Sequence, residues 1–252
     1  MHVRVLGCVG GWPVAGRACS GYLVSEGETR VWIDAGAGTL AELLKHDSLG
    51  NMGALWISHL HPDHCSDLGL VRNLLAYGHA RGGRPLPVYG PPGWGAWFNH
   101  AVPDSQATLA AFDMRELKDR ARVRTDDIRL TAFVVNHGLV TFACRAESDH
   151  GVLAYSADSG PCQALVELAR EADLFACEAF LSSPAAGRSE TVMTPEQAGE
   201  VAAAAEVRSL LLTHLHPDAD PAAAAARART RYAGPVAVAA QGMAYVVASP
   251  PS

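Results

Sequence analysis

Short apolar runs separated by turn residues dominate the first half of the chain. Residues 3–7, 20–25 and 30–34 carry β-type patterns, and the Gly-containing turn Glu26-Gly27-Glu28 joins the last two. Residues 37–46 have helical composition, and 53–58 form a short apolar strand ending in polar residues. Leu68, Val71, Leu74 and Leu75 recur at helical spacing and predict a helix over 68–77. Residues 86–89 read as a strand closed by the turn Gly90-Pro91-Pro92-Gly93, and 94–112 as partly helical.

The second half repeats the scheme. Strands are predicted at 114–117, 121–124, 128–135, 140–146 and 151–156. Helix 161–170, strand 173–177, helix 194–205, strand 207–213, helix 220–231 and strands 235–239 and 243–248 follow. Thr194-Pro195-Glu196-Gln197 supplies a Thr N-cap, a Pro in the first turn and a Gln three residues on. Strands precede helices twice over, and two mixed sheets packed face to face with helices outside satisfy that order. No repeat, low-complexity stretch or long linker interrupts the chain, so residues 1–252 are expected to form one domain of the α/β (α+β) class.

Composition narrows the function classes. Apolar residues make up 49% and charged residues 18%, ordinary for a soluble globular protein. The net charge of −6 gives no support to a duplex nucleic-acid groove, and the basic strip Arg115, Lys118, Arg120, Arg122, Arg124 is diluted by Glu116, Asp119, Asp126 and Asp127. No apolar run is long enough to span a bilayer, and the chain starts on a strand, Val3-Arg4-Val5-Leu6, without the regions of a signal peptide. The cysteines at 8, 19, 65, 144, 162 and 177 show no paired spacing, so reduced thiols and a cytoplasmic location are expected.

The segment Ser58-His59-Leu60-His61-Pro62-Asp63-His64 places four metal-ligand side chains directly after an apolar strand. Neutral imidazole and carboxylate are the usual zinc ligands, and catalytic sites keep one position open for water. Three more candidates stand where apolar strands run into loops: His137 after 131–135, Asp158 after 152–156, and His214 after 209–213. Loops carried by a rigid scaffold are where such sites are built.

In order and type these residues resemble the metallo-β-lactamase superfamily, whose motif is His-x-His-x-Asp-His, then a His, a bridging Asp and a final His. The resemblance implies a four-layer αββα sandwich with a two-metal centre in the cleft between the sheets. It assigns His59, His61 and His137 to the first metal and Asp63, His64 and His214 to the second, with Asp158 bridging. Ile33-Asp34-Ala35-Gly36 resembles the family's early Asp motif, in which Asp34 would orient a ligand histidine. Two zinc ions are the implied cofactors, although manganese or iron would suit the same donors.

Within the superfamily the likeness is to the ribonuclease Z and bacterial cyclic-nucleotide phosphodiesterase branch. It is carried by Val5-Leu6-Gly7-Cys8, Ser20-Gly21-Tyr22-Leu23-Val24, Pro87-Val88-Tyr89-Gly90-Pro91, Tyr155-Ser156-Ala157-Asp158-Ser159-Gly160-Pro161 and Leu211-Leu212-Thr213-His214-Leu215. That branch implies a homodimer. The chain departs from it at two points. Cys177-Glu178 stands where ribonuclease Z proteins carry His-Glu, and Thr191-Val192-Met193-Thr194 lacks a second family histidine. No Gly- and Lys-rich arm for gripping tRNA is evident, since 89–100 is short and neutral.

The resulting expectation is metal-activated water attacking a small phosphodiester, a cyclic nucleotide first, with Asp63 orienting the nucleophile and His216 as a substitute proton donor. His216 has an equally open reading as a loop residue capping the next helix. The missing histidines leave room for an ester, lactone or thioester hydrolase, and a catalytically silent metal-binding protein is the reading from another class. Trp94, Trp97 and Phe98 suggest either a lid over the cleft or a helix packed on the sheet; Trp12 lies in the first loop and would face the same cleft. His2, His46, His79, His100 and His150 are read as surface or packing residues, and Cys65 as a small buried residue.

Overall fold

Both predicted groups of strands close into sheets. The computed structural model describes residues 1–78, 80–182 and 189–248; His79 lies outside them. The first half contains β1 (His2–Gly7), β2 (Gly21–Glu26), β3 (Thr29–Ile33), α1 (Thr39–Leu43), β4 (Ala54–Trp56), α2 (Pro62–Cys65), α3 (Leu68–Tyr77), β5 (Leu86–Gly90), α4 (Trp94–Ala101), α5 (Ser105–Ala111) and β6 (Phe112–Glu116). The second contains β7 (Arg122–Arg124), β8 (Arg129–Val135), β9 (Thr141–Ser148), β10 (Gly151–Tyr155), α6 (Gln163–Ala169), β11 (Leu174–Glu178), α7 (Pro195–Ala204), β12 (Leu210–Thr213), α8 (Pro221–Arg229), β13 (Val236–Val238) and β14 (Ala244–Val246).

Two seven-stranded sheets result, ordered β14-β1-β2-β3-β4-β5-β6 and β13-β12-β11-β10-β9-β8-β7. Each is mixed: antiparallel pairs from β14 to β3 and from β7 to β10, and parallel pairs in the remainder. Successive strand residues face opposite sides. Val31 and Ile33 therefore enter the core between the sheets with Tyr22, Leu130, Phe142, Tyr155 and Leu211, while Trp32 faces outward. Helices cover both outer faces, so the strands are apolar on both sides. Trp32 and Leu55 pack under α3 and α4, and Phe175 and Leu212 under α6, α7 and α8. Each fully buried large apolar side chain contributes roughly 1.5–3 kcal/mol. The layering is the αββα sandwich.

Helix ends follow local chemistry. Thr194 forms a complete capping box with Gln197, with Pro195 in the first turn of α7. In that helix Gly199 is obligatory, because a Cβ there would lie 2.6 Å from the Ala228 carbonyl oxygen of α8. Some boundaries shift from the sequence reading. The helix expected over 37–46 begins only at Thr39, after Gly38 at φ 91°, and ends at Leu43. The 94–112 segment splits into α4 and α5, and β6 starts at Phe112.

The lid reading fails here. Trp94 and Phe98, one helical turn apart, are fully buried against Phe112 on the outer face of the first sheet, away from the inter-sheet cleft. Packing a helix on the sheet is what these two aromatics do, while Trp97 on the same helix is 40% exposed and does not line the cavity.

Candidate metal centre

The seven predicted donors converge at one end of the sandwich. His59 and His61 follow β4; His137, Asp158 and His214 follow β8, β10 and β12. His61 caps α2 with Pro62 in its first turn, and this single turn holds Asp63 and His64. Asp34, Ala157 and His214 adopt left-handed φ of 56°, 50° and 52°. For non-glycine residues that strain costs on the order of 1–3 kcal/mol each, and it concentrates where side chains are forced inward.

Two donor sets form, and they share Asp158. In one, the ligand atoms of His59, His61, His137 and Asp158 all lie within 4.8 Å of one another; in the other, so do those of Asp63, His64, Asp158 and His214. His61 Nδ1 stands 3.0 Å from His59 Nε2 and 3.1 Å from His137 Nε2. His64 Nε2 and His214 Nε2 are 3.3 Å apart, and Asp63 Oδ2 is 3.0 Å from His214 Nε2. A tetrahedral zinc site with bonds of about 2.0–2.1 Å would have donor-to-donor edges of about 3.3–3.4 Å.

The surrounding hydrogen bonds fix the tautomers. His64 Nδ1 donates to Asp34 Oδ2 at 2.8 Å, and His137 Nδ1 to the Thr191 carbonyl at 2.7 Å. Ser58 Oγ donates to Asp34 Oδ2 at 2.9 Å, which leaves its lone pair for His59 Nδ1 at 3.0 Å. Asp34 also accepts from Ser58 N at 2.8 Å and Tyr155 OH at 2.7 Å. His59 Nε2 and His137 Nε2 thus face His61 Nδ1, and His64 Nε2 faces His214 Nε2, nitrogen-to-nitrogen approaches that a cation between them would satisfy.

Other groups lead to the same conclusion. Asp158 Oδ1 and His214 Nδ1 are buried and stand 3.5 Å apart, and His64 Nε2 lies 3.2 Å from the same Oδ1. Burial would lower the His64 pKa, but the Asp158 and Asp34 carboxylates hold it well above the ordinary value. Burial likewise works against the Asp63 carboxylate, but a hydrogen bond from His214 and the His64 charge outweigh it and hold its pKa below the usual range. The His59 pKa is lowered well below its ordinary value, by burial first and the His64 charge second. The His/Asp donors of the two sets fit a divalent metal.

An open cavity of about 330 Å³ gives access to the cluster. His61, Asp63, His137, Asp158 and His214 form its floor, and Gly11, Pro62, Phe180 and Val192 its walls. Gly11 N donates to Asp63 Oδ2 at 2.7 Å, so the first loop reaches the centre through its backbone. Trp12 is 49% exposed and stands outside the lining, edge-on to His216 at 5.3 Å. His216 is not on the cavity wall either: its ring lies 5.4 Å from that of Phe180, and its Nδ1 accepts from Asp218 N. Cys65 is buried with its thiol donating to the His61 carbonyl.

Phe180 and Val192 escaped the sequence reading. The available signal was position: Phe180 follows β11, which pairs in parallel with the strand leading to His214. Glu178, retained beside Cys177, is buried and accepts from the backbone N–H groups of Ser159, Phe180 and Met193. Burial and the Asp158 charge push its pKa up. It ties three loops of the site together, while Cys177 points into the core under the helices.

Residues 29–215 match the Beta-lactamase superfamily domain. An uncharacterized protein of Mycobacterium tuberculosis is 33% identical over 242 residues, covering 94% of this chain and 88% of its own. Ribonuclease Z of Myxococcus xanthus is 25% identical over 297 residues, covering 96% of both. The crystal structure of the metallo-β-lactamase-fold protein YhfI from Bacillus subtilis superposes with a TM-score of 0.87 at 26% identity, over 97% of this chain and 98% of that one. With that domain matched across most of its length, the chain belongs to the β-lactamase superfamily of metal-dependent hydrolase folds.

Proposed function

We propose that the protein is a dinuclear-zinc hydrolase acting on a small phosphodiester, with a cyclic nucleotide as first choice. The observation that carries this reading is the pair of four-donor sets that share Asp158 and open on one cavity. His59, His61 and His137 would hold one ion, Asp63, His64 and His214 the other, and Asp158 both. Bound there, two zinc ions supply Lewis acidity and a water-derived nucleophile at neutral pH. Asp63, whose Oδ2 accepts from Gly11 N, would accept a hydrogen bond from that nucleophile and orient it. The open cavity lets solvent protonate the leaving group. The choice of phosphodiester is supported by the resemblance to relatives named ribonuclease Z.

One observation favours a second reading, hydrolysis of an ester, lactone or thioester. Among the described residues lining the cavity there is no Lys or Arg to meet a phosphate, and the walls are apolar or glycine. The test is turnover of bis(p-nitrophenyl) phosphate and 3′,5′-cyclic AMP beside a lactone and a thioester, with zinc-loaded and metal-stripped protein and an Asp63→Ala control. Zinc-dependent phosphodiester turnover lost in the variant supports the proposal. Turnover of carboxylic substrates alone moves the reading to the second class. Zinc retention with no turnover of any of them leaves a metal-binding protein.

A further inference from the structure

A hydrolytic floor made of imidazole and carboxylate donors has one aromatic side chain on its described wall, Phe180. Its backbone is held at three points: Phe180 N donates to Glu178 Oε2 at 2.8 Å, Ala179 N to the Thr213 carbonyl at 3.0 Å, and Leu181 N to the Met193 carbonyl at 3.0 Å. The ring is seated as firmly. A Cβ at Gly10 would lie 2.6 Å from Phe180 Cδ2, and one at Gly11 would lie 3.5 Å from Cε2, so the glycine pair is shaped to receive it. The His214 ring lies 5.6 Å away and tilted 38°, and His216 stands at 5.4 Å. Trp12 in turn meets His216 edge-on at 5.3 Å and 88°. Phe180 is nevertheless only half-buried and borders the cavity.

We propose that Phe180, braced by His216 and Trp12, is a stacking platform that selects substrates carrying a planar aromatic group beside the scissile bond. The inference rests on the hydrolase reading above and specifies its substrate class. Immobilised aromatic rings gain interaction with a planar π-face at little entropic cost, and a stack of this kind with a base changes affinity about 5- to 100-fold. The cavity of about 330 Å³ lies at the small end of ligand pockets, which run from about 300 to 1,000 Å³, so one planar group and its scissile ester suit it better than a polymer. With no Lys or Arg among its described lining, stacking is the recognition chemistry the wall offers. His216 thereby becomes a positioning residue, acting through Phe180.

The test compares 3′,5′-cyclic AMP with the 3′,5′-cyclic phosphate of methyl riboside, which keeps the scissile bond and lacks the base. A phenylacetyl and an acetyl thioester form a second pair. Each pair is run on zinc-loaded wild type, Phe180→Leu and Phe180→Tyr, while calorimetry measures binding of adenosine against ribose and phenylacetate against acetate. The expected result is a preference of about tenfold for the aromatic member of one pair, expressed in KM, lost in Phe180→Leu and restored in Phe180→Tyr; the pair affected tells whether the group is a nucleobase or an aryl acyl chain. Turnover without aromatic preference, or with a preference that survives in Phe180→Leu, overturns the platform and leaves the hydrolase reading standing. Absence of all turnover with adenosine or phenylacetate binding that depends on Phe180 keeps the platform and defeats the hydrolase reading. Absence of both turnover and aromatic binding overturns the platform as well.

Discussion

Replacing Asp34 by Asn changes one atom at a residue with no solvent exposure, and its consequences follow from four hydrogen bonds. Oδ2 accepts from Ser58 Oγ, Tyr155 OH and His64 Nδ1, and Oδ1 from Ser58 N. An amide has one acceptor oxygen. With that oxygen at the Oδ2 position, the new NH2 opposes the Ser58 N–H; reversed, it opposes three donors. Losing one bond to a charged group and leaving a buried donor unmet costs about 2–4 kcal/mol. For a chain of this size that lowers Tm by roughly 5–15 °C. His64 also loses the carboxylate that keeps its proton on Nδ1. Removing such a partner weakens metal binding about 10- to 100-fold. The loss falls first on the set holding Asp63, His64 and His214, since His59 feels Asp34 only through Ser58. Calorimetry of the stripped proteins gives the stability change, and zinc titration against a competing chelator gives the two affinities. An Asp34→Asn protein that binds both ions as tightly as wild type would refute the claim that this carboxylate orients the site.

Three other outcomes are expected. His216→Gln raises KM for the preferred substrate by less than about tenfold and leaves kcat and its pH profile in place, because the ring is off the cavity wall and braces Phe180; a 10²–10⁴-fold loss of kcat with a vanished alkaline limb would make it the general acid. Thr194→Ala removes a cap that accepts from Gln197 N at 3.3 Å, so the protein loses about 1 kcal/mol and roughly 2–4 °C in Tm with its zinc content unchanged; an unaltered melting curve would contradict this. The metal-stripped protein loses stability as pH falls below about 6.5. The reason is that burial, with the charges of His64 and His137, depresses the pKa values of His59 and His61. A histidine depressed in the folded state contributes stability that is fully present above its unfolded value and lost as pH falls through its folded one. His64 shifts oppositely, so its contribution is fully present below about 6.5, while Glu178, pushed up by burial and the Asp158 charge, opposes the two histidines between about pH 6.5 and 4.5 as one group against two. A Tm that rises between pH 6.5 and 5 would show the sign to be wrong.

Much of the site was legible because its donors obey local rules. His59 to His64 crowd behind one apolar strand of the first sheet, and His137, Asp158 and His214 each follow a strand of the second, so the packing of the two sheets brings them to one edge. The elements themselves follow period: the i, i+3, i+7 pattern gives α3 at its observed bounds, Leu68–Tyr77. What escaped depends on the third dimension. Trp94 and Phe98 have the same spacing whether they cover a cleft or a sheet, and only the outer face of the first sheet decides. Phe180 reads in sequence as one more apolar residue after a buried strand. Its exposure to the cavity depends on Gly10 and Gly11 and on Glu178, far apart along the chain. Helix α1 starts late because Gly38 is left-handed, a conformation that composition does not announce.

Anomalous diffraction at the zinc edge from crystals grown with the metal tests the central claim most directly. The account predicts two peaks on either side of the Asp158 carboxylate, one within bonding distance of His59, His61 and His137 and the other of Asp63, His64 and His214. A single peak, or a pair held by other residues, would contradict it.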